Sequence, residues 1–340
     1  MKNLDVVPTV SVLLPVRDAE GTLPAAIESI ESQTFGDFEV LAVDDGSSDG
    51  SALLLDAWRA RDGRVCVVRQ GPTGIVGALE ACRSRARGRY LARMDADDIA
   101  FPDRFQVQFE TMESNPTWAV CGGHIEYFPP ERVREGAVRY QRWLNSLETP
   151  DHVERDLFVE CPLAHPTFFM RADAVDVVGG YADAGWPEDY DLLMRLWKHG
   201  GRLGVVPRPL LRWREGEDRL SRNDPRYAPE AFRRCKVRYL LDTLARGRDG
   251  VVVWGAGPLG KAFAKEVRSA GGEVRAFIDV DPRKVGQTIH GATVLGLDGI
   301  NSLTGAYCVA SVGQKGARGD IRANLTGAGW IEIEDFVAVA

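Results

Sequence analysis

Apolar, strand-like runs alternating with stretches of helical periodicity constrain this chain more than any other feature. A polypeptide that repeats strand–helix–strand buries its strands best in a mostly parallel sheet covered by helices. Residues 9–16 form a continuous apolar run through Pro15, the pattern of a strand buried on both faces. Leu23, Ala26, Ile27 and Ile30 follow at i, i+3, i+4 and i+7, one face of a helix. Strands are then expected at 38–43, 65–68 and 90–92, with a helix through Leu53, Leu54 and Trp58. In such sheets ligands bind outside the carboxyl ends of the strands. Asp44-Asp45-Gly46-Ser47 lies at one strand end and Arg93-Met94-Asp95-Ala96-Asp97-Asp98 at another, so two acidic loops are expected to face one crevice.

Three carboxylates within four residues repel one another, and a divalent cation with oxygen ligands relieves that repulsion. In an extended strand end Asp95 and Asp97, at i and i+2, point to the same side. The competing reading is a loop in which Asp98 caps a helix starting near Phe101-Pro102.

At 340 residues the chain is long enough for two domains, and its net charge of −7 argues against nucleic-acid binding. A local exception, Arg83, Arg85, Arg87, Arg89 and Arg93, reads as a solvated helix end or as contact with an anionic partner such as a membrane surface or a diphosphate. Six scattered cysteines without a Cys-x-x-Cys pair, and no signal peptide, imply a reducing cytoplasm and neither disulfides nor zinc. No run approaches the roughly 20 apolar residues of a membrane span, so membrane contact would be peripheral.

Further along, a helix is expected over 101–115 and strands at 119–121 and 168–170, the latter introduced by His165-Pro166-Thr167. The charged segment 127–157 reads as a lid or insertion, or equally as a surface excursion. Trp186-Pro187-Glu188-Asp189 opens a helix with Tyr190, Leu193 and Trp197 on one face, and 205–206 and 210–211 read as closing strands. A helix around 227–246 leads through a glycine-containing linker to a second α/β unit. The implied partition is 1–226, a connecting 227–249, and 250–340. In the last part, strand 251–254 precedes Gly255-x-Gly257-x-x-Gly260 and a helix, and strand 274–278 ends at Asp279. Strands at 307–312 and 330–333 and a helix near 321–325 complete it. Strand, glycine turn, helix and acid fit a Rossmann-type nucleotide site with phosphate at the helix N-terminus, or a half-Rossmann unit used for packing or dimerisation.

Residues 8–225 resemble the family 2 nucleotide-sugar glycosyltransferases of the GT-A fold. The carrying strings are Leu14-Pro15-Val16-Arg17, Val43-Asp44-Asp45-Gly46-Ser47-Ser48-Asp49-Gly50, Ala92 to Asp98, His165-Pro166-Thr167, and Gly179-Gly180-Tyr181 leading to Pro187-Glu188-Asp189-Tyr190-Asp191-Leu192. The resemblance implies an inverting transfer from a nucleotide-diphosphate sugar to a hydroxyl of a glycan or lipid-linked acceptor. It makes Asp97, with Asp95, the ligands of Mn²⁺ or Mg²⁺ on the donor diphosphate, and Asp189 the base. It puts Asp44 and Asp45 near the nucleoside, with Pro15 and Arg17 beside it and Asp49 mainly forming the turn. Trp186 could stack on a sugar or belong to the core, and His165 could line the acceptor side or be structural. The chain departs from the pattern at Glu80 and Cys82, which stand where many relatives carry Asn and Gly. It also lacks a late histidine in Arg212-Trp213-Arg214-Glu215, so Arg212 or Arg214 is expected to neutralise the leaving group instead.

The last 90 or so residues also resemble the nucleotide-sugar-binding domain that precedes bacterial sugar acyltransferases, through Phe277-Ile278-Asp279 and Gly286-Gln287-Thr288-Ile289-His290-Gly291. That likeness implies a nucleotide or nucleotide sugar on Gly255, Gly257, Gly260 and Asp279. Two other functions stay open: a sugar nucleotidyltransferase, which should carry a lysine-bearing glycine loop after its first strand, and a nucleotide or NAD sensor using the C-terminal fingerprint.

Overall fold

The computed structural model describes residues 7–216 and 219–340. The chain forms two compact units. The first comprises Met1–Val153, Leu163–Ala184 and Glu188–Asn223; the second comprises Glu154–Pro162, Gly185–Pro187 and Asp224–Ala340. Two short excursions of the N-terminal sequence therefore belong to the second unit, an arrangement that hydropathy does not signal.

The strands of the first unit are β1 (Val10–Val16), β2 (Phe38–Asp45), β3 (Val65–Gln70), β4 (Tyr90–Arg93), β5 (Ile99–Ala100), β6 (Trp118–Phe128), β7 (Phe169–Arg171) and β8 (Arg202–Arg214). Its helices are α1 (Leu23–Glu31), α2 (Ser51–Arg61), α3 (Gly74–Arg83), α4 (Arg104–Ser114), α5 (Glu135–Leu144), α6 (Pro150–Arg155), α7 (Ala172–Val177), α8 (Glu188–Lys198) and the short α9 (Leu220–Asn223), although the end of α6 runs into the second unit. The sheet order is β3-β2-β1-β4-β7-β6-β8-β5. Pairings among β1 to β4 and between β6 and β8 are parallel, whereas β7 runs antiparallel to β4 and β6, and β5 to β8. Every residue of β1 and β2 is buried, as two-sided coverage demands. Leu14, Val40, Trp58, Tyr90 and Phe105 lie in its core.

The two closing strands expected at 205–206 and 210–211 are one strand, β8. Its register against β6 shifts past Pro207, which is skipped in the ladder, and again after Pro209, which pairs with His124. Residues 127–157 hold α5 and α6.

The second unit contains α10 (Pro229–Asp242), β9 (Val251–Trp254), α11 (Pro258–Ser269), β10 (Val274–Ile278), β11 (Thr288–Ile289), β12 (Ala292–Leu295), β13 (Tyr307–Ala310), α12 (Ala317–Gly327) and β14 (Phe336–Ala338). Its sheet order is β11-β12-β10-β9-β13-β14, parallel except for the edge hairpin β11–β12, which turns at His290 (φ 47°) and Gly291 (φ 80°). Counting only the parallel strands, the order is 3-2-1-4-5, that of a doubly wound nucleotide-binding sheet. The strand expected at 330–333 is instead a turn with one bridge, Glu332 to Phe336, and the closing strand is β14. All six cysteines are free. Among the described residues no helix is long and apolar enough to cross a membrane.

Candidate active site

In the first unit, β1 lies between β2 and β4, so the strand order reverses there and a crevice opens beyond the ends of β1 and β4. The exit of β4 is pinned on both sides: the Met94 N–H donates to the Leu13 carbonyl (3.1 Å) and the Arg93 N–H to the Phe168 carbonyl (2.8 Å). Thr22 at the start of α1 donates its hydroxyl to the Ala96 carbonyl (3.1 Å). The acidic loop is thus held by three elements before any side chain is considered.

On that loop one carboxylate oxygen from each of Asp95, Asp97 and Asp98 lies within 4.8 Å of the others. Asp98 is fully buried; its Oδ1 accepts from the Arg214 N–H (2.7 Å) while its Oδ2 has no partner. Asp98 therefore does not cap a helix. It joins the acidic loop to the end of β8, and α4 begins after Asp103, whose side chain does not cap it. Burial, then the charge of Asp95, raises the Asp97 carboxyl to about 6; burial, then the charges of Asp97 and Asp95, push Asp98 well up. Three carboxylates gathered this closely, one of them with a buried oxygen that has no partner, are a hard-oxygen donor set suited to Mg²⁺ or Mn²⁺.

Cations surround the acids. Arg93, buried, forms an ion pair with Asp95. Arg104, fully buried, donates to the Arg93 carbonyl (2.7 Å) and to Gln108 (3.0 Å) from beneath. Arg219 carries the remaining positive charge felt by both Asp97 and Asp98. The cation expected near the leaving group from the sequence is Arg212 or Arg214. Arg212 is exposed, 3.8 Å from Glu126, and the Arg214 guanidinium donates to the Asp97 carbonyl (2.6 Å).

Asp44 and Asp45 differ. The buried Asp44 accepts from the Ser47 N–H (3.0 Å). Asp45 accepts from Gln70 (2.8 Å), from the Thr73 N–H and hydroxyl (both 2.8 Å) and from the Gly74 N–H (2.8 Å), which pins the start of α3. Burial raises its carboxyl, but these donors outweigh that and leave it below the ordinary range. Asp49 closes the start of α2 through the Ser51 N–H (2.9 Å) and holds the Glu20 N–H (2.9 Å). Pro15 is buried in β1, and Arg17 is exposed beside Asp18 (3.8 Å).

A second group gathers around His165, Tyr181 and Glu188. The His165 Nε2 lies 2.9 Å from the Tyr181 hydroxyl and its Nδ1 3.6 Å from Glu188. Burial, then repulsion from Arg93, holds the His165 imidazole well below its usual value, so it is neutral near pH 7. Asp189, half-buried at the start of α8, caps its own turn by accepting from the Tyr190 N–H (2.7 Å). Asp189 and Glu188 both raise the Tyr181 hydroxyl, after burial. Trp186 falls in the second unit. Glu80 accepts from the Tyr181 N–H (2.6 Å) and pairs with Arg83 (2.8 Å), joining α3 to the Gly179-Gly180-Tyr181 turn, and Cys82 is buried with its thiol pushed up to about 12. The Cys82 thiol donates to the Leu41 carbonyl (3.2 Å), so both departures have partners within the fold. Arg87 and Arg89 pair with Glu39 (2.8 Å) and Glu113 (3.1 Å) at the opposite, amino-terminal ends of the strands.

In the second unit, Gly255 (φ 112°) turns the chain at the end of β9, and a Cβ on Gly260 would lie 1.8 Å from the Gly255 carbonyl. The glycines are therefore required by packing. Gly257 meets nothing within 4 Å. Asp279 accepts from the Ala256 N–H (2.8 Å), Lys284 (2.9 Å) and the Asp281 N–H (2.9 Å); burial opposes these contacts, yet the carboxyl stays below its ordinary range.

A profile described as "Glycosyl transferase family 2" matches residues 11–179. A Bacillus subtilis protein named as the glycosyltransferase EpsE is 31% identical over 226 residues, 65% of this chain and 78% of the relative. The amylovoran biosynthesis glycosyltransferase AmsE of Erwinia amylovora is 29% identical over 62% of this chain and 78% of its own. The crystal structure of S. aureus TarS 1-349 superposes with a TM-score of 0.54 at 17% identity, over 69% of this chain and 66% of that one, just under two thirds of its length.

Proposed function

The chain belongs to glycosyltransferase family 2, and on that premise we propose that it is an inverting, metal-assisted enzyme moving a sugar from a nucleotide-diphosphate donor to a hydroxyl of a glycan or lipid-linked acceptor. The observation that carries this reading is the meeting of Asp95, Asp97 and Asp98, the last with one buried oxygen that has no partner, at the reversal point of the sheet. A divalent ion bound by Asp97 and Asp95 would supply Lewis-acid charge to the donor diphosphate. Asp44, at the end of β2, would face the nucleoside; Asp45, with both oxygens engaged, would shape the loop beside it. Asp189 would take the proton of the acceptor hydroxyl as its oxygen bonds to the anomeric carbon. The C–O bond to the diphosphate then breaks, and its electron pair leaves with the phosphate oxygen. Glu188, His165 and Tyr181 would position the first turn of α8 beneath that base.

Support for a nucleotide-sugar donor comes from the family and from the fold shared with TarS, whose crystal structures include complexes with UDP and UDP-GlcNAc. The polysaccharide setting follows AmsE, named for amylovoran biosynthesis. A panel of nucleotide sugars titrated into the whole chain with and without Mn²⁺ tests the reading. Metal-dependent binding of at least one donor is expected, and its absence across the panel would overturn it.

A further inference from the structure

We infer that Asp18 is a positioning residue for the donor's nucleoside, which locks the loop after β1 to the loop after β2 so that Arg17 and Asp44 are held on one rim. The assignment rests on the nucleotide-sugar reading above. Asp18 lies two residues past the end of β1 with φ 46°, in the left-handed region that a side chain with a Cβ rarely adopts. Such a backbone persists where its surroundings over-determine it, and these outliers gather at functional sites. Here the surroundings are one neighbouring loop. The Asp18 N–H donates to the Ser47 hydroxyl (3.1 Å), and the Asp18 Oδ1 accepts from the Ser48 N–H (2.7 Å) and hydroxyl (3.1 Å).

The lacing runs on along both loops. The Ala19 N–H donates to the hydroxyl of the fully buried Ser51 (2.8 Å), the Glu20 N–H to Asp49 (2.9 Å), and the Gly50 N–H back to Glu20 (3.0 Å). A Cβ on Gly50 would lie 2.4 Å from a Glu20 carboxylate oxygen, so the two loops close on each other with no room for a side chain there. Ser47, which accepts from Asp18, donates its own N–H to Asp44 (3.0 Å). Asp44, Ser47 and Asp18 therefore form one hydrogen-bonded chain from the end of β2 to the end of β1, and the Arg17 Nε lies 3.8 Å from the other Asp18 oxygen. The contacts of Asp18 with Ser47 and Ser48 are exposed, where water can replace them, so they add little to stability. Their consequence is shape: a rim fixed before the nucleoside arrives loses less freedom on binding it.

Asp18→Ala, Asp18→Gly and Asp18→Asn test the assignment on the full chain, by calorimetry with UMP, UDP, GMP and GDP in Mn²⁺ buffer and thermal unfolding of the same preparations. The expected result is that Asp18→Ala weakens the monophosphate and diphosphate of the bound base by the same factor, about tenfold. Asp18→Gly, which suits the backbone but lacks the acceptor, should lose less. Asp18→Asn, which keeps an acceptor and tolerates the left-handed region, should stay within about threefold of the wild type. Wild-type affinity in Asp18→Ala, whatever its melting temperature, overturns the assignment, as does a loss in Asp18→Asn as large as that in Asp18→Ala. A loss confined to the diphosphates overturns it too, because the effect would then lie on the phosphates and not on the nucleoside. A wild-type chain that binds none of the four nucleotides overturns the nucleotide-sugar reading itself, whereas wild-type binding that Asp18→Ala leaves unchanged overturns this assignment alone.

Discussion

The chain holds two sheets in which the first strand lies beside the fourth, β1 beside β4 and β9 beside β13, and the two crevices are built oppositely. In the first, the strand ends carry carboxylates in excess: burial and mutual repulsion raise Asp97 to about 6, and one oxygen of Asp98 has no partner. In the second, the acid at the end of β10, Asp279, is satisfied by two backbone N–H groups and Lys284 and is held below its ordinary range. One topology thus gathers carboxylates in excess at the first sheet and, at the second, an acid that braces a glycine turn. Topology decides where a ligand can sit, and the side chains decide what it is.

Exchanging the roles of the acids breaks the comparison most sharply. Asp97→Ala should lower transfer by about a thousandfold or more while leaving the melting temperature unchanged or higher, because it removes a carboxylate the fold disfavours. Activity assays and thermal unfolding on the same preparation check both halves. Next in size, Gly260→Ala should destabilise by about 3 kcal/mol or more, since its Cβ would lie 1.8 Å from a carbonyl oxygen, whereas Gly257→Ala, with nothing within 4 Å, should be nearly silent. Denaturant unfolding of the two variants compares them directly. Asp279→Ala should cost about 1–3 kcal/mol through its orphaned donors and spare transfer.

The smallest effect is a pH dependence. The Asp97 carboxyl lies at about 6 against an ordinary 3.8, so between those values the native state holds a proton the unfolded chain lacks. Stability without divalent cation should therefore rise as pH falls from above 6 toward 4. Cation affinity should run the other way, falling about tenfold per unit below pH 6 because the ligand must be ionised. Thermal unfolding and Mn²⁺ titration across pH 4.5–8 would sharpen the contrast with Asp279, which stays ionised throughout that range.

Much of this was legible in the sequence. β1 and β2 are buried along their whole length and β10 at every residue but Arg275, so their largely apolar runs mark them within a residue or two, and the acidic loop announced itself by charge density. Helix α3 was not: Gly74 and Gly77 weaken its periodicity, and its start depends on Asp45 across the sheet. The burial of Asp98 was invisible because its partner is the Arg214 backbone, 116 residues away. The pairing of Glu80 with the Tyr181 amide, which accounts for one departure from the family pattern, spans 101 residues. Long-range hydrogen bonds, rather than local propensity, set the side-chain roles that the sequence left open.

The account turns on Asp97 making the first crevice a metal-dependent donor site. Calorimetric titration of a nucleotide sugar into the wild type and Asp97→Ala, each with and without Mn²⁺, measures that directly. The predicted result is Mn²⁺-dependent binding by the wild type and none by the variant. Undiminished, Mn²⁺-dependent binding by Asp97→Ala would contradict it.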